Sequence, residues 1–271
     1  MPDIQVKLMG SYTIVPNSCT PESRKAQCLL AYVILNADRQ LEREAVAAAL
    51  WGESPTEIRR GYLRKALHQV NKVIPGLLES QGERLVFQHP LSCDIDVWEM
   101  KWLYQQPINE ENYLKVKTHL NHVQGELLSG WEDEWCWFER ERHHHLWLSL
   151  LEKTLGYALQ AGLAEDALMF GTRILHLEPA HEPTHQALIQ VHLMRSDRAG
   201  AIRQYQRCKA ALQEWDLDPD AETLRLYEEA RGQREAPRDV LSRLTDLYQH
   251  MLKLQEDTQQ QLRQIERLIR P

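Results

Sequence analysis

The stretch SPTEIRRGYLRKALHQVNKVIPG, residues 54–76, decides the fold of the first third of the chain. It predicts a helix over residues 55–74, about five turns long. Ser54 and Glu57 have the spacing of a capping box, with Pro55 at the first helical position, and Pro75-Gly76 ends the pattern. At 100° per residue, one side is apolar and is expected to be buried. That side comprises Tyr62, Leu63, Ala66, Leu67, Val70, Val73 and Ile74.

The opposite side of this helix, which we call the outward face, is cationic. It comprises Arg60, Gly61, Arg64, Lys65, His68 and Lys72. Four of these six residues are Arg or Lys and none is acidic, while Gly61 has no side chain to hold the face away from a surface. Such a face fits the DNA major groove, where Arg and Lys bind guanine edges and phosphates. A solvated basic face is the commoner fate of a charge stripe, so the rest of the chain has to decide.

The charge of the chain is unevenly distributed. Its 271 residues leave room for about two domains, and the net charge of −7 argues against a protein that coats DNA uniformly. Residues 1–90 hold 11 Lys and Arg against 9 Asp and Glu, whereas residues 91–271 hold 21 against 30. Any contact with nucleic acid is therefore expected in the first part of the chain.

Several classes of protein are disfavoured by missing patterns. The five cysteines form no CxxC pair, and their scatter suits a reducing cytosol. The chain shows no signal peptide and no apolar run near 18 residues, so we expect a cytoplasmic protein with no membrane contact. It contains no GxxxxGK, GxSxG or HExxH motif, so we expect neither an enzyme nor a cofactor.

The segments around the quoted stretch complete a winged helix-turn-helix. Alternation predicts strands at residues 4–8 and 12–15, and apolar periodicity predicts helices from Pro21 and over residues 42–51. Residues 85–87 and 91–95 flank His89-Pro90 and predict a terminal hairpin, the wing, with Arg84 near its base. We therefore assign residues 1–96, called the head below, to a DNA-binding domain with a small sheet.

Beyond the head the pattern is helical. Residues 97–235 predict a series of helices with a weak repeat of 34 residues, which pairs Ala167 with Ala201. This is the tetratricopeptide period, in which helix pairs bury their faces by stacking. The whole chain is thus expected to be mainly α.

Residues 236–271 predict a coiled-coil helix. Its seam runs over four heptads through Leu241, Leu244, Tyr248, Met251, Gln255, Thr258, Leu262, Ile265 and Ile269. A sustained repeat of 3.5 residues favours pairing with a second chain. The alternative is an amphipathic helix that docks on its own helical domain.

The sequence resembles activators of the Streptomyces antibiotic regulatory protein type, in which a response-regulator-like winged helix precedes the bacterial transcriptional activator domain. LAYVILNADRQLEREAVAAALWGESP at 30–55 and LRKALHQVNKVI at 63–74 resemble the DNA-binding helices. GELLSGWEDEWCWFERER at 125–142 and the helical run from 177 to 212 resemble the activator domain. The similarity covers residues 3–232.

The resemblance implies a transcription activator whose helical domain supports self-association or contacts to the transcription machinery, RNA polymerase included. Together with the outward face, it makes double-stranded DNA and a second copy of the chain the expected partners. The candidate DNA contacts are Arg60, Gly61, Arg64, Lys65, His68, Gln69, Lys72 and Arg84.

An adaptor function is the alternative that the residues leave open. Members of the family commonly carry more Arg near positions 69, 71 and 72, where this chain has Gln69, Asn71 and Lys72. Those residues and the acidic body would suit a tetratricopeptide-like protein-protein adaptor whose winged helix does not read DNA. We expect no metal site, because three consecutive histidines, His143 to His145, point about 100° apart on a helix.

Overall fold

The computed structural model describes residues 4–88, 93–123 and 125–232. These residues fall into two compact units, of which the first extends to Thr184 and the second begins at His185. The predicted architecture is confirmed: the chain is mainly α, with small sheets confined to the head. The predicted domain boundary at residue 96 stays a prediction, because the head and the helices that follow it lie in one unit.

The elements of the head follow one another in the order expected of a winged helix. They are β1 (Ile4–Lys7), β2 (Thr13–Val15), α1 (Arg24–Leu35), β3 (Leu41–Glu42), α2 (Arg43–Trp51), α3 (Thr56–Val73), β4 (Leu78–Gln81), β5 (Arg84–Phe87) and β6 (Cys93–Ile95). The later helices are α4 (Asp96–Gln105), α5 (Glu110–His122), α6 (Trp135–Gln160), α7 (Ala164–Leu177), α8 (Glu182–Met194), α9 (Arg198–Gln213) and α10 (Ala221–Arg231).

The predicted position of the wing is wrong. Strand β5 pairs antiparallel with β4, not with the residues after His89-Pro90, and β6 instead runs parallel to β1 in the other sheet. Gly82 has a φ of +61°, which permits the tight turn between β4 and β5. The wing is therefore the β4–β5 hairpin, and Arg84, which pairs with Gln81 beside the turn, lies at its tip and not at its base.

Helix α3 begins one residue later than predicted. Pro55 is the N-cap residue with an extended ψ of 148°, and no side chain caps the helix, so the predicted capping box does not form. Because the first turn is built on the carbonyl of Pro55, which accepts from the amide of Arg59 at 3.0 Å, Ser54 lies outside the helix. Gly76, with a φ of +75°, turns the chain towards β4.

The core of the head lies between α1, α2 and α3, which pack against one another. Helix α1 is the most deeply buried of the three, with eight of its twelve residues inside. Leu63, Ala66, Leu67 and Val70 of α3 are buried as predicted. Burying side chains of this size stabilises a fold by about 1.5–3 kcal/mol each, so α3 is firmly held along its inner face.

The head is joined to the following helices by polar contacts and aromatic packing. Asp133, just before α6, forms ion pairs with Arg24 at 3.1 Å and Lys25 at 3.3 Å at the start of α1. At the other end of α1, the indole of Trp98 donates to the carbonyl of Ile34 at 2.9 Å. Trp131 and Trp135 are buried beside these contacts. The first unit therefore contains the head and α4 to α7 as a continuously packed structure.

The second unit contains α9 and α10, which pack around a small core. Its buried members are Ile189, Ala201, Tyr205, Leu226 and Ala230. The carboxylates of Asp197 and Asp220 accept from backbone amides at the starts of α9 and α10, as helix caps do. Helices α7 and α9 begin 34 residues apart, at Ala164 and Arg198, and the paired Ala167 and Ala201 are both buried.

The predicted coiled-coil helix at 236–271 lies outside the described residues, and so do all of its seam residues. Within the described ranges, no helix is long and apolar enough to cross a membrane.

Candidate nucleic-acid interface

The outward face of α3 is exposed along its whole length. Arg60, Gly61, Arg64, Lys65, His68 and Lys72 all lie at the surface, opposite the buried residues that fix the helix to α1 and α2. Packing thus holds the helix along its inner face, and the outward face is open to a ligand. The exposure of these residues is as predicted, and their contact with DNA stays a prediction.

Three side chains of the outward face have no partner within the described part of the chain. Arg64, Lys65 and His68 make neither an ion pair nor a side-chain hydrogen bond there. A surface cation that is already paired must give up its partner before it binds a phosphate, whereas these three need not. They are the part of the face best placed to bind an acceptor.

Arg60 and Lys72, at the two ends of the face, do have partners. Arg60 Nε lies 3.1 Å from Glu44 Oε2, and Lys72 Nζ lies 3.2 Å from Glu22 Oε1. The side chains of Lys72 and Glu22 are 62% and 75% exposed, and such surface pairs contribute little to stability. Lys72 is therefore readily released to a phosphate.

Glu44 holds α2 and α3 together. Its second oxygen, Oε1, accepts from Arg59 Nη2 at 2.8 Å, and Arg59 also reaches the carbonyl of Gly52 at 3.2 Å. Desolvation raises the pKa of Glu44, but the hydrogen bonds from Arg60 and Arg59 outweigh it, so that the net shift is downward. The charged clamp fixes the angle between the two helices of the helix-turn-helix.

Gln69 and Asn71 face the protein itself. Ser23, the N-cap residue of α1, donates its hydroxyl to Gln69 Oε1. Asn71 Nδ2 donates to the carbonyl of Leu78 at 2.7 Å, while the Leu78 amide donates to Asn71 Oδ1 at 3.2 Å. Gln69 therefore connects α3 to the start of α1, and Asn71 connects α3 to the wing.

The tip of the wing adds one more free cation. Arg84 is exposed and has no side-chain partner among the residues that the structure describes. At the edge of the same hairpin, Arg43 contacts the hydroxyl of Ser80, and its amide donates to the carbonyl of Glu83 at 2.8 Å. The hairpin is thereby anchored to α2, so Arg84 is presented from a supported turn.

Sequence reasoning missed Tyr62. The residue was placed on the buried side, yet its side chain is 47% exposed and its ring lies 6.2 Å from that of Trp51. It borders a shallow pocket of about 350 Å³ together with Lys65, Lys25 and Ser23. The position of Tyr62 at the margin of the apolar side of α3 could have indicated that its side chain is exposed. Its hydroxyl adds a hydrogen-bonding group beside Lys65.

The other polar constellations have structural roles. Asp96 is partly buried and accepts from the amides of Leu8, Met9 and Val97 at 2.8–3.0 Å, so it ties the residues after β1 to the start of α4. Burial raises the pKa of this carboxyl against the effect of those hydrogen bonds. In the described ranges, no group of three His, Cys, Asp or Glu side chains could hold a metal ion.

The three consecutive histidines bind separate partners. His143 Nδ1 lies 2.8 Å from the carbonyl of Glu139, His144 Nε2 lies 3.1 Å from Glu178, and His145 Nε2 lies 2.9 Å from Glu141. Their rings therefore diverge, as the helix geometry predicts.

Comparison with known proteins finds a family model that matches residues 104–231 of the chain. The family is described as Bacterial transcriptional activator domain, and the resemblance to such regulators that the sequence predicts is confirmed. Among curated proteins, no sequence matches the chain significantly.

A solved structure has a similar fold. It is described as "Mycobacterium tuberculosis EmbR in complex with low affinity phosphopeptide", and the TM-score is 0.66 over 92% of this chain and 70% of that chain. The two sequences are 19% identical, so the likeness concerns the fold.

Proposed function

We propose that this chain, a transcriptional regulator by virtue of its bacterial transcriptional activator domain, is a sequence-specific DNA-binding activator that reads the major groove with α3. One observation carries the proposal. Arg64, Lys65 and His68 are exposed and unpartnered within the described residues, on a helix whose opposite face is buried. Exposed cations without partners can bind phosphates and base edges at once, and here they lie side by side in a chain whose net charge is −7.

The side chains divide into two kinds of contact. The guanidinium of Arg64, in the middle of the face, suits a guanine edge, because its planar fork can donate twice to O6 and N7. Lys65 and Lys72 suit phosphates, which position a protein on the duplex without reading its sequence. Arg84 at the tip of the wing would add a contact to the flanking backbone or groove.

The proposal extends to partners. We expect a homodimer, formed through the helical repeats, the C-terminal helix or both, and contact with RNA polymerase. On α6, Trp137 and Phe138 are neighbours in sequence and are 68% and 79% exposed. Exposed large aromatic side chains of this kind are typical of protein-binding surfaces.

The same two aromatic residues favour the second candidate, an adaptor that does not read DNA. The other argument for an adaptor is the lack of Arg at positions 69 and 71. This argument is weaker now, because Gln69 and Asn71 form hydrogen bonds within the protein. Their lack of positive charge therefore says little about the outward face.

The test compares the full chain with a double variant, Arg64→Ala with Lys65→Ala. Loss of a bidentate base contact costs about 1–3 kcal/mol, and each lost phosphate contact lowers the salt slope of log K by about 0.9. We therefore expect weaker binding and a shallower salt dependence on an operator recovered by immunoprecipitation of bound DNA. Binding is measured by fluorescence anisotropy.

A matched control removes two cations elsewhere. Arg207 and Lys209 are exposed on α9 and have no side-chain partner in the described part of the chain, so Arg207→Ala with Lys209→Ala changes the net charge equally. This variant should bind as the wild type does. Equal affinity of the wild type and the α3 variant would show that α3 does not read DNA, and absence of binding at any salt concentration would favour the adaptor.

A further inference from the structure

A second cationic site lies away from α3, in an open pocket of about 450 Å³. Three parts of the first unit form it: the turn after α1, the C-terminal half of α4 and the middle of α6. The turn contributes Asp38 and Arg39, α4 contributes Lys101, and α6 contributes Arg142 and His143. The pocket thus joins the head to the helices of the activator domain.

The residues that line this pocket carry more positive than negative charge. Arg39, Lys101 and Arg142 are permanent cations, and Asp38 is the carboxylate among the lining residues, which leaves an excess of two positive charges. Residues 91–271 as a whole carry 21 Lys and Arg against 30 Asp and Glu. Lys101 and Arg142 belong to this acidic part, and Arg39 adds a third cation from the head, so the pocket is suited to an anion.

Two of the cations are fixed by the fold, and one is free. Lys101 Nζ lies 2.6 Å from Asp38 Oδ2, and Arg142 Nη2 donates to the carbonyl of Leu35 at 3.0 Å. Arg39 is exposed, and its side chain makes no hydrogen bond or ion pair within the described residues, although its charge lowers the pKa of Glu139. The pocket therefore has two cations held in place and a third that can close on a ligand.

His143 supplies an unpartnered polar atom in the wall of the pocket. The residue is 4% exposed, and its Nδ1 is bonded to the carbonyl of Glu139 on its own helix. Its Nε2, on the opposite edge of the ring, has no partner in the part of the chain that the structure describes. Because Nδ1 donates to that carbonyl, Nε2 of the neutral ring carries a lone pair and can accept a hydrogen bond from a hydroxyl group of a ligand.

The pKa of His143 depends on the charges that surround the pocket. The pKa of its imidazole is lowered to about 4, chiefly by burial; the charges of Arg142 and Lys101 act in the same direction, while the hydrogen bond to the Glu139 carbonyl and the charge of Asp38 act against it. Two carboxylates stand outside the pocket, where Glu139 lies 3.6 Å from Arg142 and Glu141 pairs with His145. A bound anion would oppose the effect of the cations and raise the pKa of His143.

We propose that this pocket binds a small phosphomonoester. A phosphomonoester carries a charge of about −1.5 to −2 at neutral pH, which balances the excess of two positive charges, and its oxygens can accept from Arg39 and from the fixed cations. Tyr104 and Leu146 offer apolar surface for the organic part, and the volume lies within the range of ligand pockets. This proposal does not depend on DNA binding.

The first test uses inorganic phosphate as the probe, with the full chain in the absence of DNA. Phosphate replaces chloride at constant ionic strength while the melting temperature is measured, and a ligand of the native state should raise it saturably. Arg39→Gln should weaken the apparent affinity about tenfold to a hundredfold, as expected for one charge-assisted hydrogen bond. Arg207→Gln, an equally exposed position on α9, should leave it unchanged.

A second readout reports on the pocket directly. The imidazole signals of His143 in NMR titrations should show a higher pKa with phosphate than with chloride, and Arg39→Gln should diminish the difference. No saturable effect of phosphate, or the same effect in Arg39→Gln as in the wild type, would overturn the site.

The ligand class is tested with glycerol 3-phosphate and a phosphoserine peptide. Glycerol 3-phosphate should bind more tightly than inorganic phosphate, because it adds contacts beyond the anion. Weaker binding than inorganic phosphate, or a clear preference for the peptide, would overturn the assignment to a small phosphomonoester.

Discussion

Gly61 is the residue of α3 whose identity is not explained by the packing of the protein. A Cβ at this position would meet no atom within 4 Å, so neither a close approach nor a neighbouring side chain requires glycine there. A glycine inside a helix is less stable than alanine by about 0.5–1 kcal/mol. Approach of a surface from outside the chain would explain why the helix tolerates this cost, and our proposal makes that surface DNA.

Gly61→Ala should therefore raise the stability of the fold and lower the affinity for DNA. We expect it to stabilise the fold by about 0.5–1 kcal/mol in urea unfolding, because it removes backbone freedom from the unfolded chain. We expect it also to weaken DNA binding, since a methyl group would stand between the helix and the groove.

Gly156 provides the control for this prediction. It lies inside α6, and a Cβ there would likewise meet nothing within 4 Å. Gly156→Ala should stabilise the protein to a similar extent and leave DNA binding unchanged. If Gly61→Ala were stabilising and bound DNA as tightly as the wild type, the outward face would not be the one that approaches DNA.

At the scale of single elements, local patterns predicted the helices well, because their signals lie within one segment. The periodicity of 3.6 residues and the breaks at Gly and Pro place α2 and α3 within a residue of their observed bounds. The inner face of α3 was predicted for the same reason, apart from Tyr62 at its margin.

Pairing of strands could not be predicted in the same way. Residues 93–95 have an alternating pattern that suits a hairpin with β5, yet they pair with β1, about ninety residues earlier in the chain. A strand pattern specifies which face is buried and not which partner lies beside it. The hydrogen bonds of Gln69 and Asn71 could not be predicted for a related reason, because their partners come close only in the folded chain.

Asn71 is the residue that connects α3 to the wing. Because it bonds both the amide and the carbonyl of Leu78, Asn71→Ala would leave two backbone groups of a buried residue unsatisfied. The loss of such a partner costs about 1–3 kcal/mol, and we expect a decrease of that size in the free energy of unfolding, measured with urea. Gln81→Ala, at the exposed tip of the same hairpin, should have little effect. If Asn71→Ala and Gln81→Ala were equally stable, Asn71 would not be needed to hold α3 against the wing.

For the whole molecule, the contacts of Asp133 have a consequence for DNA binding. Asp133 ties the start of α1 to the start of α6 through Arg24 and Lys25, and Arg24 also lies over the ring of Trp131 at 3.4 Å. The outward face of α3 therefore has a fixed orientation relative to α6 within the first unit.

The last prediction is that the chain dimerises through residues 237–269. The seam repeats every 3.5 residues, so a helix there must pair with one of matching period to keep it covered. A helix of that length spans about 50 Å, and alone it would expose six large apolar side chains: Leu241, Leu244, Met251, Leu262, Ile265 and Ile269. Each gains about 1.5–3 kcal/mol on full burial, which favours association strongly.

Light scattering on the full chain and on a chain that ends at Gly232 tests this prediction. We expect a dimer for the first and a monomer for the second, and operators whose half-sites occur in pairs, because a dimer places two copies of α3 on one duplex. A full chain that is monomeric at tens of micromolar would refute dimerisation. A truncated chain that remains dimeric would move the interface into the helical repeats, and residues 237–269 would then be free to bind another partner.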